Sequence, residues 1–300
     1  MDINNLSRAN HPAVYYQEML ADRLRMARYR EAIRRAVRPG DLVADLGTGL
    51  GILALMAVQC GARRVYAIDN RPNSLWLAQR VVTANGAADK INLIEADIRE
   101  VVLPEPVDIV INELIGEFGT DENIVECVSG FAAGNLKPGG RILPQHLTTY
   151  LVPVEYRDEF RGVFSKAYFG LDLRAAIDLP CQPNAVLHPL YALPKELAKA
   201  HVMEDVAFNL TPVARLKRIP CRFEIHCAGV LQGFVGYFKA QLWDDVWLSN
   251  YPNYPGGHWY NWHWPVDPPI EVHPGQEIDA KLNIRENMVA AGWTLDWDFD

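Results

Sequence analysis

The residues best suited to chemistry lie in a stretch without positive charge. Between Arg99 and Lys137 there is no lysine or arginine, yet Glu105, Asp108, Glu113, Glu117, Asp121, Glu122 and Glu126 all fall there. A run of like charge is ordinarily a solvated loop. Here, however, Glu113 follows the segment 107–111, apolar except for Asp108, which reads as a buried strand, and Glu122 follows nine residues later. Two carboxylates at the mouth of a cleft suit a planar cation, because a guanidinium offers five donors in a fork that two carboxylates can clamp. A single ammonium needs no such fork. The Asn-Pro-Pro-Tyr or Asp-Pro-Pro-Tyr segment that would flatten against a flipped adenine is absent after this strand.

A second constellation precedes it. Val43-Ala44-Asp45-Leu46-Gly47-Thr48-Gly49-Leu50-Gly51 ends one strand and opens a helix, so its glycines can turn tightly and bring backbone N–H groups to a ligand. A dinucleotide fingerprint would place glycine where Ile52 stands, and Asp45 precedes the loop. An acidic residue there suits a cofactor with a cationic amino-acid end. Asp69, 22 residues after Gly47, ends the next strand, where a carboxylate can accept both ribose hydroxyls. Together these features point to S-adenosylmethionine.

The elements that must position these residues follow a simple order. Residues 12–37 are rich in helix formers without internal Gly or Pro and predict one long helix, with Glu18, Asp22, Arg25 and Tyr29 on one stripe. Strands at 42–46, 64–68, 91–94, 107–111 and 141–143, with helices at 51–60, 74–84 and 122–133, predict a parallel, doubly wound Rossmann-like sheet whose ligands sit at the carboxyl ends of the strands. Beyond Pro144 the texture turns to strands at 148–154, 206–210, 222–228, 234–247, 277–284 and 293–299, an antiparallel β-barrel or sandwich. Residues 160–199 differ, with helical pieces near 171–176 and 195–199. The expected class is therefore α/β plus β. An N-terminal helix spans 1–38, a cofactor-binding domain 39–144 and a β-barrel substrate domain 145–300.

Composition bounds the function. The 300 residues, 49% hydrophobic and 22% charged, belong to a globular chain able to bury roughly three quarters of its unfolded surface. Five scattered cysteines without a CxxC pair fit a reducing cytoplasm. A net charge of −8 argues against nucleic acid as a partner, and no 18-residue apolar run implies a membrane. No metal is expected: His258 and His263 have no Cys or acid cluster to complete a ligand set.

These motifs resemble the protein arginine methyltransferase family. Glu113 and Glu122 are similar to its two glutamates on one loop. Glu18-Met19-Leu20, Asp22, Arg25 and Tyr29 resemble its cofactor-covering helix, Leu136-Lys137-Pro138-Gly139-Gly140 its post-sheet turn, and Gly257-His258-Trp259 its Thr-His-Trp loop. The resemblance implies S-adenosylmethionine-dependent methylation of arginine in a protein or peptide. Free arginine or another small guanidine is the alternative substrate, and a lysine-directed activity a weaker one. It implies catalytic roles for Glu113, Glu122, His258 and Asp22, with His258 paired to Asp22. Arg25 would hold the methionine carboxylate, and Asp45, Gly47, Gly49, Asp69, Asp97 and Ile98 would complete the cofactor site. Tyr16, Met19 and Trp259 would border the substrate. Residues 160–199 lie where the family inserts a dimerisation arm, so a homodimer is expected. The sequence departs from the family at Gly257, Leu114 and Tyr16, and in residues 6–10, where an aromatic-rich segment is usual. The length nearly matches a bare catalytic core, so no appended targeting domain is expected.

Overall fold

The computed structural model describes residues 12–156, 169–172, 185–190, 192–208, 217–255, 257–284 and 290–300. Most of the expected arm, 160–199, and residues 6–10 lie outside the described residues.

The expected single N-terminal helix is two, α1 (Pro12–Ala21) and α2 (Arg23–Ala36). Asp22 breaks it by leaving helical geometry at φ −70°, ψ 80°, and its carboxylate accepts a hydrogen bond from Arg25 N at 3.0 Å. Short carboxylates favour this N-cap role over a helix interior.

The parallel unit follows as β1 (Leu42–Leu46), α3 (Ile52–Gln59), β2 (Arg64–Asp69), α4 (Pro72–Ala84), β3 (Ile91–Glu95), β4 (Val107–Asn112), α5 (Ile124–Asn135) and β5 (Leu136–Leu143). Every ladder is parallel, in the order β3-β2-β1-β4-β5. β1 is buried at every residue, which is why it reads as an unbroken apolar run apart from Asp45. Strand order reverses between β1 and β4, so the loops that leave their carboxyl ends part and open a crevice. Leu136–Gly140, expected as a turn, forms the first part of β5.

The antiparallel unit comprises β6 (His146–Glu155), β7 (Val186–His188), β8 (Lys195–Glu196), β9 (His201–Ala207), β10 (Arg218–Glu224), β11 (Gly229–Trp243), β12 (Val246–Ser249), β13 (Asn261–Val272), β14 (Glu277–Asn283) and β15 (Thr294–Phe299). They form one sheet around the path β7-β13-β11-β6-β8, with β12 and β9 attached, and a second of order β10-β14-β15. Leu151, Phe234 and Trp264 from the first sheet share a core with Phe223, Ile278 and Leu282 from the second. Two expectations are corrected here. The helical piece at 195–199 is strand β8, paired with β6. The single strand 234–247 is a hairpin, because Asp244 takes φ 47° and turns the chain back along β11.

Phe118, in the loop after β4, is fully buried and meets Trp264 and Trp293 edge-on, with ring centroids 5.8 and 5.7 Å apart. The acidic loop of the parallel unit is thereby anchored in the core of the antiparallel one. Among the described residues no helix is long and apolar enough to cross a membrane.

Candidate active site

A cavity of about 700 Å³ opens at the strand-order reversal. Gly47 and Gly49 form its floor at φ 69° and 54°, values that side chains rarely tolerate. A Cβ on either would come within 2.8 Å of Leu114 or 2.9 Å of Tyr16. Asp69, at the end of β2, accepts from Gly49 N and Arg71 N, each at 2.9 Å, and so holds the loop against β2. Those bonds leave lone pairs on both carboxylate oxygens. Tyr16 lies over the loop with its hydroxyl on Ser74 Oγ at 2.6 Å.

Two expected cofactor contacts behave differently. Asp45 does not line the cavity: it is fully buried and accepts from Thr48 Oγ1 at 2.7 Å and Ala54 N at 3.1 Å, bracing the loop from behind. Burial pushes its pKa up to about 7, against the lowering effect of those bonds. Asp97 does line the cavity, as does Ile98, but its carboxylate is committed to Arg99. That pairing holds it down to about 2.

The opposite wall is acidic. Glu113 leaves the end of β4 and Glu122 sits just before α5; both line the cavity. Burial raises the Glu113 pKa, opposed by Arg25, whose guanidinium forms an ion pair with it. Arg25 also donates to Met19 O at 3.0 Å and lies 5.6 Å from the Trp259 ring centre, while its buried Nε has no partner among the described residues. Burial, then the Asp121 and Glu113 charges, push Glu122 up to about 7.

The roof comes from the far end of the chain. Gly257 adopts φ 138°, a conformation that favours glycine and accounts for its place in the loop. His258 follows, donating its backbone N–H to Asp22 at 3.0 Å with its ring Nδ1 3.3 Å from the same oxygen. Burial opposes ionisation of Asp22, yet the His258 and Arg25 hydrogen bonds hold its carboxyl below its ordinary value. Trp259 donates from Nε1 to Ile115 O at 3.0 Å. His263 lies elsewhere, between Tyr156 and the His188 carbonyl, and burial takes its pKa down to about 4.

The cavity thus gathers Tyr16, Met19, Arg25, Gly47, Gly49, Asp69, Asp97, Ile98, Glu113, Glu122, His258 and Trp259, residues drawn from both units. In the sequence, Glu117 and Asp121 are two more acids of the base-free stretch. In the structure Glu117 accepts from Tyr260 N and Asp121 from Trp262 Nε1 at 3.0 Å. The base-free stretch marked both residues, but only the fold supplies their partners.

Comparison with known proteins points the same way. The chain is 30% identical over 318 residues to protein arginine N-methyltransferase PRMT10 of Oryza sativa subsp. japonica, covering 90% of this chain and 80% of that protein. This chain belongs to the protein arginine methyltransferase family. It is also 36% identical over 235 residues to the probable protein arginine N-methyltransferase 6 of Arabidopsis thaliana, covering 76% of this family member and 54% of that protein. The histone-arginine methyltransferase CARMER of Drosophila persimilis is 29% identical over 300 residues, and the chain again spans about half of its length, 54%. A TRM5/TYW2 methyltransferase domain model matches residues 13–126, which hold the cavity floor, and a PRMT5 oligomerisation domain model matches 167–296. In fold, this family member resembles the Trypanosoma brucei PRMT1 enzyme-prozyme heterotetrameric complex with AdoHcy. The TM-score is 0.77 at 20% identity, covering 95% of this chain and 92% of the other. It also resembles Arabidopsis thaliana protein arginine methyltransferase 10, with TM-score 0.72 at 23% identity over 95% and 96% of the two chains.

Proposed function

We propose that this chain transfers a methyl group from S-adenosylmethionine to the guanidinium of an arginine in a protein or peptide. The observation that carries the reading is the convergence of Glu113 and Glu122 on the same cavity as the Gly47–Gly49 floor and Asp69. The cavity fits the cofactor in three respects. Arg25 Nε is a buried donor without a partner among the described residues, suited to a carboxylate. The glycines offer bare backbone, and Asp69 retains acceptor capacity for a ribose diol. Bound there, the cofactor would supply an electrophilic methyl group on a sulfonium. Residues 39–144 would serve as the cofactor-binding domain, 145–300 as the barrel-like substrate domain and 1–38 as the cover.

The chain's own residues then have defined tasks. A guanidinium is a poor nucleophile while protonated, yet lowering its pKa from about 13 to about 7 would cost roughly 8 kcal/mol, and neighbouring carboxylates push it the other way. Glu113 and Glu122 therefore hold the cation, draw its charge away from the attacking nitrogen and fix its approach. Orientation of this kind supplies on the order of 7 to 11 kcal/mol. The proton leaves with or after transfer. Glu122, with a pKa near 7, is placed to receive it, with the His258–Asp22 pair as the second acceptor on the cavity roof.

Mass spectrometry after incubation with isotopically labelled S-adenosylmethionine tests the reading. A methylated Arg-Gly peptide supports it; methylated free arginine would move the substrate to a small guanidine, and methylated lysine or no product would reject it. We further propose a homodimer, supported by the match of 167–296 to an oligomerisation domain. Light scattering should give twice the 33.8 kDa chain mass, and a monomer at micromolar concentration would refute it. A cytoplasmic location rests on the scattered cysteines, and recovery in an exported fraction would overturn it.

A further inference from the structure

The loop between β4 and α5 carries four carboxylates, Glu113, Glu117, Asp121 and Glu122, and the clamp uses two. Glu117 stands out because it reaches the roof. Gly116 and Gly119 exchange backbone hydrogen bonds of 3.2 and 2.9 Å, a tight turn that presents Glu117 at its tip. The Glu117 carboxylate accepts from Tyr260 N at 2.6 Å. Asn250 then closes a ring, donating from Nδ2 to both Glu117 O and Tyr260 O at 2.7 Å. Tyr260 directly follows His258 and Trp259, the two roof residues that line the cavity. The roof is thus held from the helix side by Asp22 and from the acidic loop by Glu117, with Trp259 Nε1 on Ile115 O between them.

We infer that Glu117 is a positioning residue that fastens the His258–Trp259 roof to the loop bearing the two-carboxylate clamp, fixing the distance between clamp and roof. The inference rests on the function proposed above and adds a specific residue to it. The placement is unfavourable for a carboxylate in itself: burial, then the charges of Asp121, Glu122 and Glu113, raise its pKa, opposed by the Tyr260 N–H.

Three substitutions separate reach from the carboxyl group itself. Glu117→Leu removes the acceptor, Glu117→Asp keeps the carboxyl but shortens the arm, and Glu117→Gln keeps both length and an acceptor oxygen. The full chain would be labelled with 5-fluorotryptophan, and the Trp259 resonance among the 8 tryptophans identified with a Trp259→Phe variant. The expected result is a shifted or broadened Trp259 line in Glu117→Leu and Glu117→Asp, and a line restored in Glu117→Gln. With it, kcat/KM for an arginine peptide should fall about 10- to 100-fold in the first two, the loss expected when a buried N–H is left without its acceptor, at unchanged cofactor affinity. If Glu117→Leu does not fold, Glu117→Asp carries the test. An unmoved Trp259 line in the shortened variants overturns the inference, and so does a Glu117→Gln variant as perturbed as Glu117→Leu. The resonance is read without turnover, so failure of the proposed methyl transfer would show separately, as absence of product in the wild-type chain.

Discussion

Replacing Glu113 by glutamine tests the clamp with little change in shape. Glu113 is nearly enclosed, with its side chain 14% exposed, and is ion-paired with Arg25. Glutamine keeps an oxygen that can accept from Arg25, so the guanidinium of Arg25 should stay on the cavity wall. What is lost is the negative charge facing a substrate cation. Breaking a desolvated ion pair on one side costs about 3 to 5 kcal/mol, which in a transition state is roughly a 10²- to 10⁴-fold loss of rate. Cofactor affinity should stay within about threefold, equivalent to roughly 0.7 kcal/mol. The assay is initial-rate methyl transfer from labelled cofactor under saturating conditions, alongside calorimetry for cofactor binding and a thermal melt to confirm folding. Turnover near the wild-type value would refute the clamp. A loss of turnover matched by an equal loss of cofactor affinity would move Glu113 from the substrate to the cofactor.

Arg25→Ala should weaken cofactor binding by at least about tenfold in calorimetry, since it removes a charge-assisted partner, and unchanged affinity would remove Arg25 from the cofactor site. Because Glu122 titrates near 7, affinity for an arginine peptide should rise with pH and be about tenfold weaker at pH 6 than above pH 8; a flat profile would contradict pairing with ionised Glu122. Glu117 has a native pKa raised from 4.5 to about 8, so the folded state binds its proton more tightly than the unfolded state. Its stabilising effect is present below about pH 4.5 and is lost as pH rises through about 8. Glu117→Gln should flatten that decline in the melting temperature. Asp22→Ala should cost about 1 kcal/mol of stability through the lost α2 cap and also release His258; a melting temperature equal to wild type would show that neither contact matters.

Much of the fold is legible because it rests on local pattern. β1 and β4 are apolar runs apart from Asp45 and Asp108, bounded by Pro39-Gly40, the glycine loop and Glu113, and helices between such strands admit few topologies. The candidate site residues are legible for a related reason: Gly47, Gly49, Asp69 and Glu113 lie at or just beyond strand ends, and Glu122 just before the helix that follows β4. What fails to show in the sequence depends on partners distant along the chain. Asp22 reads as a mid-helix residue until His258, 236 positions away, supplies a reason for the break. Asp45 reads as a ligand contact, whereas its partners Thr48 and Ala54 turn it inward. Glu117 and Asp121 read as surplus charge because Tyr260 and Trp262 reach them from the other unit. Lys195 and Glu196 have helical propensity, but pairing with Glu155 and Val154 on β6 makes them a strand, a tertiary override of a weak local preference.

In the proposed function, Glu113 and Glu122 form a receptor for a guanidinium beside the cofactor. Calorimetric titration of an arginine peptide and of the same peptide with citrulline at the target position, both with S-adenosylhomocysteine present, addresses it directly. Citrulline keeps the planar shape and removes the charge. The clamp predicts binding of the arginine peptide, at least about 100-fold weaker binding of the citrulline peptide, and collapse of that difference in the Glu113→Gln, Glu122→Gln double variant. Equal affinity of the two peptides for the wild-type chain would contradict it.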